Sequence, residues 1–144
     1  MENLITSFFE DDHDKLDAQF TKFQAARQAE PAAAQELLGR FSRGLLRHID
    51  WEEQILFPIF EANGGSAMGP TQVMRFEHGQ IKNLLESIRL KVEGVADSGE
   101  DEKTLLNVLG EHNWKEEHIL YPAIDNQLTS RQVGEVFDRI KATM

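Results

Sequence analysis

The chain has 144 residues, 40% apolar and 28% charged, a composition suited to one packed core and too apolar for disorder. Its 25 acidic residues outnumber 15 basic ones for a net charge of −10, and no Lys/Arg cluster occurs, which argues against nucleic acid or an anionic membrane as partner. Cysteine is absent, so disulfides, thiolate catalysis, iron–sulfur ligation and c-type haem attachment by these residues are excluded.

The opening MENLITSFFEDD lacks the basic and apolar regions of a signal peptide. No run approaches the ~20 apolar residues of a membrane span, so a cytoplasmic protein is expected. Ser7 with Glu10 reads as a capping box, followed by an apolar ladder at Phe9, Leu16, Phe20 and Phe23. Glu30-Pro31 marks the next boundary. A second segment carries Leu38, Phe41, Leu45, Ile55 and Ile59 and stops at Asn63-Gly64-Gly65, with Pro58 expected to kink or end it early. Gly69-Pro70 opens a third, with Met74, Ile81, Leu85, Ile88 and Val92, ending near Gly94. The polar loop ADSGEDE leads to a fourth with Leu105, Leu109, Ile119 and Ala123, where Pro122 should again bend or end the helix. Thr129 and Gln132 form another capping box, starting a short helix over about 130–142 with Val133, Val136, Phe137 and Ile140.

No segment alternates convincingly with period two. The expected fold is all-α: an up-down-up-down antiparallel four-helix bundle with a short C-terminal helix, one domain over residues 1–144.

The bundle is written twice. HIDWEEQILFP at 48–58 and HNWKEEHILYP at 112–122 lie 64 residues apart, and His13 lies 65 residues before His78. FEDDHDKL and MRFEHGQI both place an acidic residue directly before their histidine. Two helical hairpins, about 7–62 and 70–128, are therefore duplicates related by a pseudo-twofold axis.

Helical spacing points the same residues inward in both copies. His13 lies between Phe9 and Leu16, and His78 between Met74 and Ile81. His48 and Glu52 continue the series Phe41, Leu45, and His112 and Glu116 continue Leu105, Leu109, in steps of three or four. A lone histidine on an apolar face is more often a satisfied core residue than a ligand. Four at matched positions, with two inward glutamates and no inward Lys or Arg to compensate them, reverse that expectation. A metal supplies the missing positive charge.

Imidazole and carboxylate suit iron, manganese or zinc, and the lack of thiolate disfavours a structural zinc site. Two carboxylates able to bridge, with two histidines per metal, describe a dinuclear centre. Glu53 and Glu117 fall about 140° around the helix from their histidines, a solvated or supporting position, with Glu117 kept as an alternative ligand to Glu116. His118 lies about 240° from His112 and stands where the other copy has Gln54, which favours a surface or supporting role. Asp12 and Glu77 precede two of the histidines and could orient imidazoles, although acidic residues on helices are usually solvated. Trp51, Trp114 and Tyr121 occur near the site and read as packing residues, with electron transfer as the alternative.

The order His…His-x-x-x-Glu…His…His-x-x-x-Glu, with ILFP and ILYP after the two glutamates, resembles the hemerythrin-like, or HHE cation-binding, family over about Phe9 to Ile124. The resemblance implies a four-helix bundle around two non-haem iron ions with an oxo or hydroxo bridge. By the same resemblance His13 and His48 would hold one iron and His78 and His112 the other, with Glu52 and Glu116 bridging. Oxygen-carrying members have a further histidine where this chain has Met74, and separate the last histidine from its carboxylate by five residues, not four. The symmetric set is similar to that of bacterial repair-of-iron-centres proteins, which also carry a cysteine-containing N-terminal domain not found in this sequence. Met74, a poor ligand for ferric iron, is expected to line an apolar wall beside the centre.

Three functions follow from the resemblance. One is a reactive di-iron protein that binds or reduces O2, peroxide or nitric oxide. The others are a reversible O2 binder for storage or sensing, and an iron-handling or regulatory module. The sequence names no redox partner and does not decide whether the protein is an enzyme.

Overall fold

Each amphipathic segment is helical in the computed structural model, which describes residues 3–64 and 69–144. Gly65, in the predicted stop signal, lies outside the described residues. Helix α1, Leu4–Ala29, ends at Glu30, where the following proline disfavours helical backbone. Pro31 opens α2, Pro31–Trp51, at a position where its missing N–H would have had no helical partner. A π-helical turn, Glu52–Leu56, joins α2 to α3, Phe57–Ala62. Gly64 follows with φ +94°, a conformation open to glycine. The second hairpin repeats the plan: α4 is Pro70–Glu93, α5 is Gly99–Lys115, a π turn spans Glu116–Leu120, and α6 is Tyr121–Gln127. Helix α7, Ser130–Ala142, begins at the predicted capping box of Thr129 and Gln132.

Three local expectations are corrected. The loop ADSGEDE is shorter than expected, because α5 already starts at Gly99 and places Glu100, Asp101 and Glu102 at its positive end. Ser7 does not cap α1, which is already helical from Leu4. Its cap comes from the far end of the chain: Asp125 accepts hydrogen bonds from the Ile5 and Thr6 amides at 2.9 and 3.0 Å and from the Thr6 hydroxyl at 2.7 Å.

Thirdly, Pro58 and Pro122 do not end the helical run, which continues to Ala62 and to Gln127. A proline lacks the N–H and its ring clashes with the carbonyl four residues back. Here the preceding turn widens instead, so that the amides of Phe57 and Tyr121 donate to the carbonyls of Glu52 and Glu116, five residues back. The two turns differ in what they expose, since Ile55 stays buried in the first, within the cluster that α7 covers. Ile119 and Ala123, expected inside, are exposed, while Leu120, Tyr121 and Ile124 are buried.

Helices α1 and α2 pack as one hairpin, α4 and α5 as the other, with α2 against α4 and α1 against α6. One apolar cluster includes Phe20, Phe23, Phe41, Leu85, Ile88 and Leu105. The other includes Ile5, Phe9, Phe57, Phe60, Tyr121 and Ile124, and α7 covers it with Val136 and Ile140. Along α1 the clusters meet between Phe9 and Leu16, and along α4 between Met74 and Ile81, so the inward histidines form a polar layer between them. No helix among the described residues is long and apolar enough to cross a membrane.

Asp125→Ala should remove the cap that ties α6 to the start of α1. Leaving two helical amides and a hydroxyl without their acceptor is expected to cost about 1–3 kcal/mol. Urea denaturation would measure it, and an unchanged midpoint would mean that water replaces the carboxylate at no cost.

Candidate metal centre

All six inward residues of the sequence reading converge. His13 on α1, His48 on α2, His78 on α4 and His112 on α5 are at most 3% exposed. Glu52 and Glu116 open the two π turns and are wholly buried. Each carboxylate lies between an imidazole of its own helix and one from another. Glu52 Oε1 is 3.5 Å from His48 Nε2 and 3.2 Å from His78 Nε2. Glu116 Oε1 is 3.3 Å from His112 Nε2 and 3.2 Å from His13 Nε2.

The opposite nitrogen of every imidazole meets a second carboxylate. Asp12 of α1 accepts from His48 Nδ1 at 2.8 Å, Glu53 from His78 Nδ1 at 2.7 Å, Glu77 from His112 Nδ1 at 2.9 Å, and Glu117 from His13 Nδ1 at 2.7 Å. The four bonds run in one direction around the bundle, each helix orienting the histidine of the next. With Nδ1 held by a carboxylate, each Nε2 is directed at the centre and, once its own proton is released, offers the lone pair that metal ligation requires. Asp12 and Glu77 thus take the orienting role that the sequence left open, and Glu53 and Glu117 do the same rather than joining the inner set.

Without a metal this layer is electrostatically incomplete. Glu52 Oε1, Glu116 Oε2 and His78 Nε2 are buried and have no hydrogen-bond partner among the described residues. Burial pulls the His13 and His112 imidazoles down, but Glu116 and the surrounding carboxylates outweigh it and raise both to about 9. Burial pushes the Glu52 carboxyl up, and the neighbouring Glu116 adds to it. Glu116, although burial raises it, is held well below the usual range by His112, Glu52 and His13. Borrowed protons therefore stand in for a cation. The ligand atoms of Glu52, His78, His112 and Glu116 lie within 4.8 Å of one another, and so do those of His13, His48 and Glu116. Each of the two groups offers donors suited to a cation of the hard or borderline kind, and the groups share Glu116.

Tyr121 belongs to this layer, contrary to the packing role read from sequence. It is fully buried, with its hydroxyl 2.7 Å from Glu52 Oε2 and 3.0 Å from Glu116 Oε1. Burial, then the two carboxylates, holds its proton on well above the usual phenol range. Its counterpart in the first repeat, Phe57, has no hydroxyl and stacks on His78 at 6.1 Å. The sequence difference ILFP against ILYP was the only available signal of this asymmetry. Tyr121→Phe should fold and keep its metal content, since a phenyl ring already serves at position 57. Glu52 would lose a buried donor, however, and the metal-free protein should be less stable by about 1–3 kcal/mol. Guanidinium denaturation with metal analysis tests this, and equal stability would remove Tyr121 from the network.

The remaining candidates lie elsewhere. His118 is exposed, with Nδ1 donating to the Trp114 carbonyl at 3.0 Å and its ring stacked on Trp114, itself 55% exposed. Trp114 is therefore a surface residue, whereas Trp51 is buried and donates to Thr143 Oγ1 at 2.8 Å. Met74 packs in the apolar cluster with Phe9, Phe57 and Tyr121 and does not line the central cavity.

The family model described as hemerythrin HHE cation binding domain matches residues 4–142. The chain is 30% identical over 131 residues to a DNA nickase of Nostoc sp. (strain PCC 7120), covering 91% of this chain and 36% of that protein. It is 34% identical over 122 residues to the iron-sulfur cluster repair protein YtfE of Escherichia coli O81 (strain ED1a), covering 75% of this chain and 56% of the relative. For the protein of the same name from Enterobacter sp. (strain 638), identity is 32% over 112 residues, with coverage of 70% and 51%. The chain thus spans between 36% and 56% of the length of these relatives. No solved structure matches it significantly.

Proposed function

The chain belongs to the hemerythrin HHE cation-binding family, and from that membership we propose that it is a non-haem di-iron protein that binds and reacts with O2, peroxide or nitric oxide. His13 and His48 would hold one iron, His78 and His112 the other, and Glu52 and Glu116 would bridge them together with an oxo or hydroxo group. The observation that supports this most is the pair of ligand clusters sharing Glu116, buried where no Lys or Arg among the described residues compensates them. Bound iron would supply Lewis-acid and one-electron chemistry toward small ligands. Two imidazoles and two shared carboxylates leave each metal positions for such ligands.

The protein's own part is orientation, proton holding and exclusion of water. Asp12, Glu53, Glu77 and Glu117 fix the four rings. Tyr121 keeps a proton beside both central carboxylates. The two apolar clusters seal the layer above and below. A net charge of −10 fits a small uncharged ligand better than DNA.

Iron handling is the second reading, favoured by the iron–sulfur cluster repair relatives. One experiment separates the two. After anaerobic iron loading, elemental analysis should find two irons per chain, and one or none would sink the dinuclear centre. Stopped-flow mixing of the reduced protein with O2 and with nitric oxide should then show turnover. A long-lived oxy species would instead indicate reversible O2 binding, and inertness would indicate iron handling.

A further inference from the structure

The cavity inside the polar layer is lined by repeat-related pairs, Leu16 with Ile81 and Leu45 with Leu109. Among its lining residues only Asp17 on α1 and Asn113 on α5 have substantial exposure. Those two, with Leu109, also line a surface groove of about 380 Å³ along the α1–α5 seam. The groove and the cavity therefore meet at Asp17, Leu109 and Asn113.

The pseudo-twofold axis makes a second such seam, between α4 and α2, where the sequence differs. Asn113 is matched there by Ile49, which is 1% exposed, Gly110 by Leu46, and Asp17 by Lys82. A Cβ built at Gly110 meets nothing within 4 Å, so the groove is open because side-chain volume is missing. Its rim is acidic, with Asp14, Asp17 and Glu117 and no lysine or arginine.

We propose that metal ions and small ligands reach the centre through this mouth between α1 and α5, gated by Asn113, while the buried Ile49 and the partly exposed Leu46 fill the matching positions of its counterpart. The proposal rests on the reading of the six inner residues as a metal centre. The acidic rim attracts cations, admits neutral molecules and repels anions.

The test gives the mouth the composition of its counterpart, in the variant Gly110→Leu/Asn113→Ile. Two probes report passage: azide binding to iron-loaded protein in stopped flow, and Co(II) uptake by chelator-treated protein. Both rates should fall by roughly tenfold or more, because entry must then wait for local opening, while helicity and final metal content stay at wild-type values. Asn113→Ile alone should act in the same direction, and Leu46→Gly/Ile49→Asn should accelerate both probes by opening the second seam. In wild type, added salt should speed azide and slow Co(II), and Asp14→Asn/Asp17→Asn should flatten both dependences. Normal metal loading with unchanged rates in the narrowed variants overturns the mouth alone. A wild-type chain that takes up neither iron nor cobalt overturns the metal-centre reading and this proposal with it.

Discussion

Glu116→Ala is expected to abolish the paired centre, lowering iron retention by more than about 100-fold, because loss of a merely orienting partner already costs about 10–100-fold. Glu116 belongs to both ligand clusters and touches imidazoles from two helices, His13 and His112. Its removal leaves those rings without the carboxylate that faces them. Glu52→Ala should lose the bridged centre too, through His48 and His78. Replacing Asp12, Glu53, Glu77 or Glu117 by alanine should weaken retention within the 10–100-fold range, as a ring loses its orientation but the inner ligands remain. His118→Ala, on an exposed side chain, should keep both irons. Elemental analysis after gel filtration, with circular dichroism to check folding, reads the series. Loss of iron in the His118 variant would mean that the ligand set is wrong.

Removing the metal should produce a protein whose stability falls as the solution is made alkaline. His13 and His112 are raised from 6.5 to about 9 in the folded, metal-free chain. A group whose folded value is raised contributes stability that is fully present below its unfolded value, here 6.5, and lost as pH rises through about 9. The metal-free protein should therefore melt on the order of 5–10 °C lower at alkaline pH than near neutrality. Iron-loaded protein should not show this loss, since its imidazoles are neutral and held by metal. Loading near neutral pH must displace the borrowed protons, so it should release protons and weaken in acid. Melting curves with and without chelator across pH test the sign directly. A metal-free chain that gained stability between pH 6.5 and 9 would show that these imidazoles are not protonated in the fold.

The helices and their six inward histidines and glutamates were legible because both follow from spacing within one segment. Apolar residues three and four apart mark a buried stripe, and a histidine or glutamate that continues the stripe must enter the core with it. The duplication strengthened this reading, since each inward residue of one hairpin had a counterpart in the other. Pro31, Pro70 and the Thr129–Gln132 box likewise act on neighbouring backbone, and each marks a helix start as expected.

Contacts between segments were decided by the tertiary structure. Nothing within residues 4–10 shows that α1 is capped by Asp125, because the partner is 119 or 120 residues away. Glu53 and Glu117 point well away from their own helices' histidines, and only the packing of four helices brings each onto the imidazole of a neighbour. Tyr121 is the sharpest case. In a regular helix it would point about 140° from Glu116, away from the site. The π turn closes one turn over five residues, and that single inserted residue returns the ring to the face of Glu116. Spacing could place the six inner residues as far as Glu116, because up to that point the helix keeps its regular pitch; beyond it, the clash at Pro122 and the fit of the core set the register.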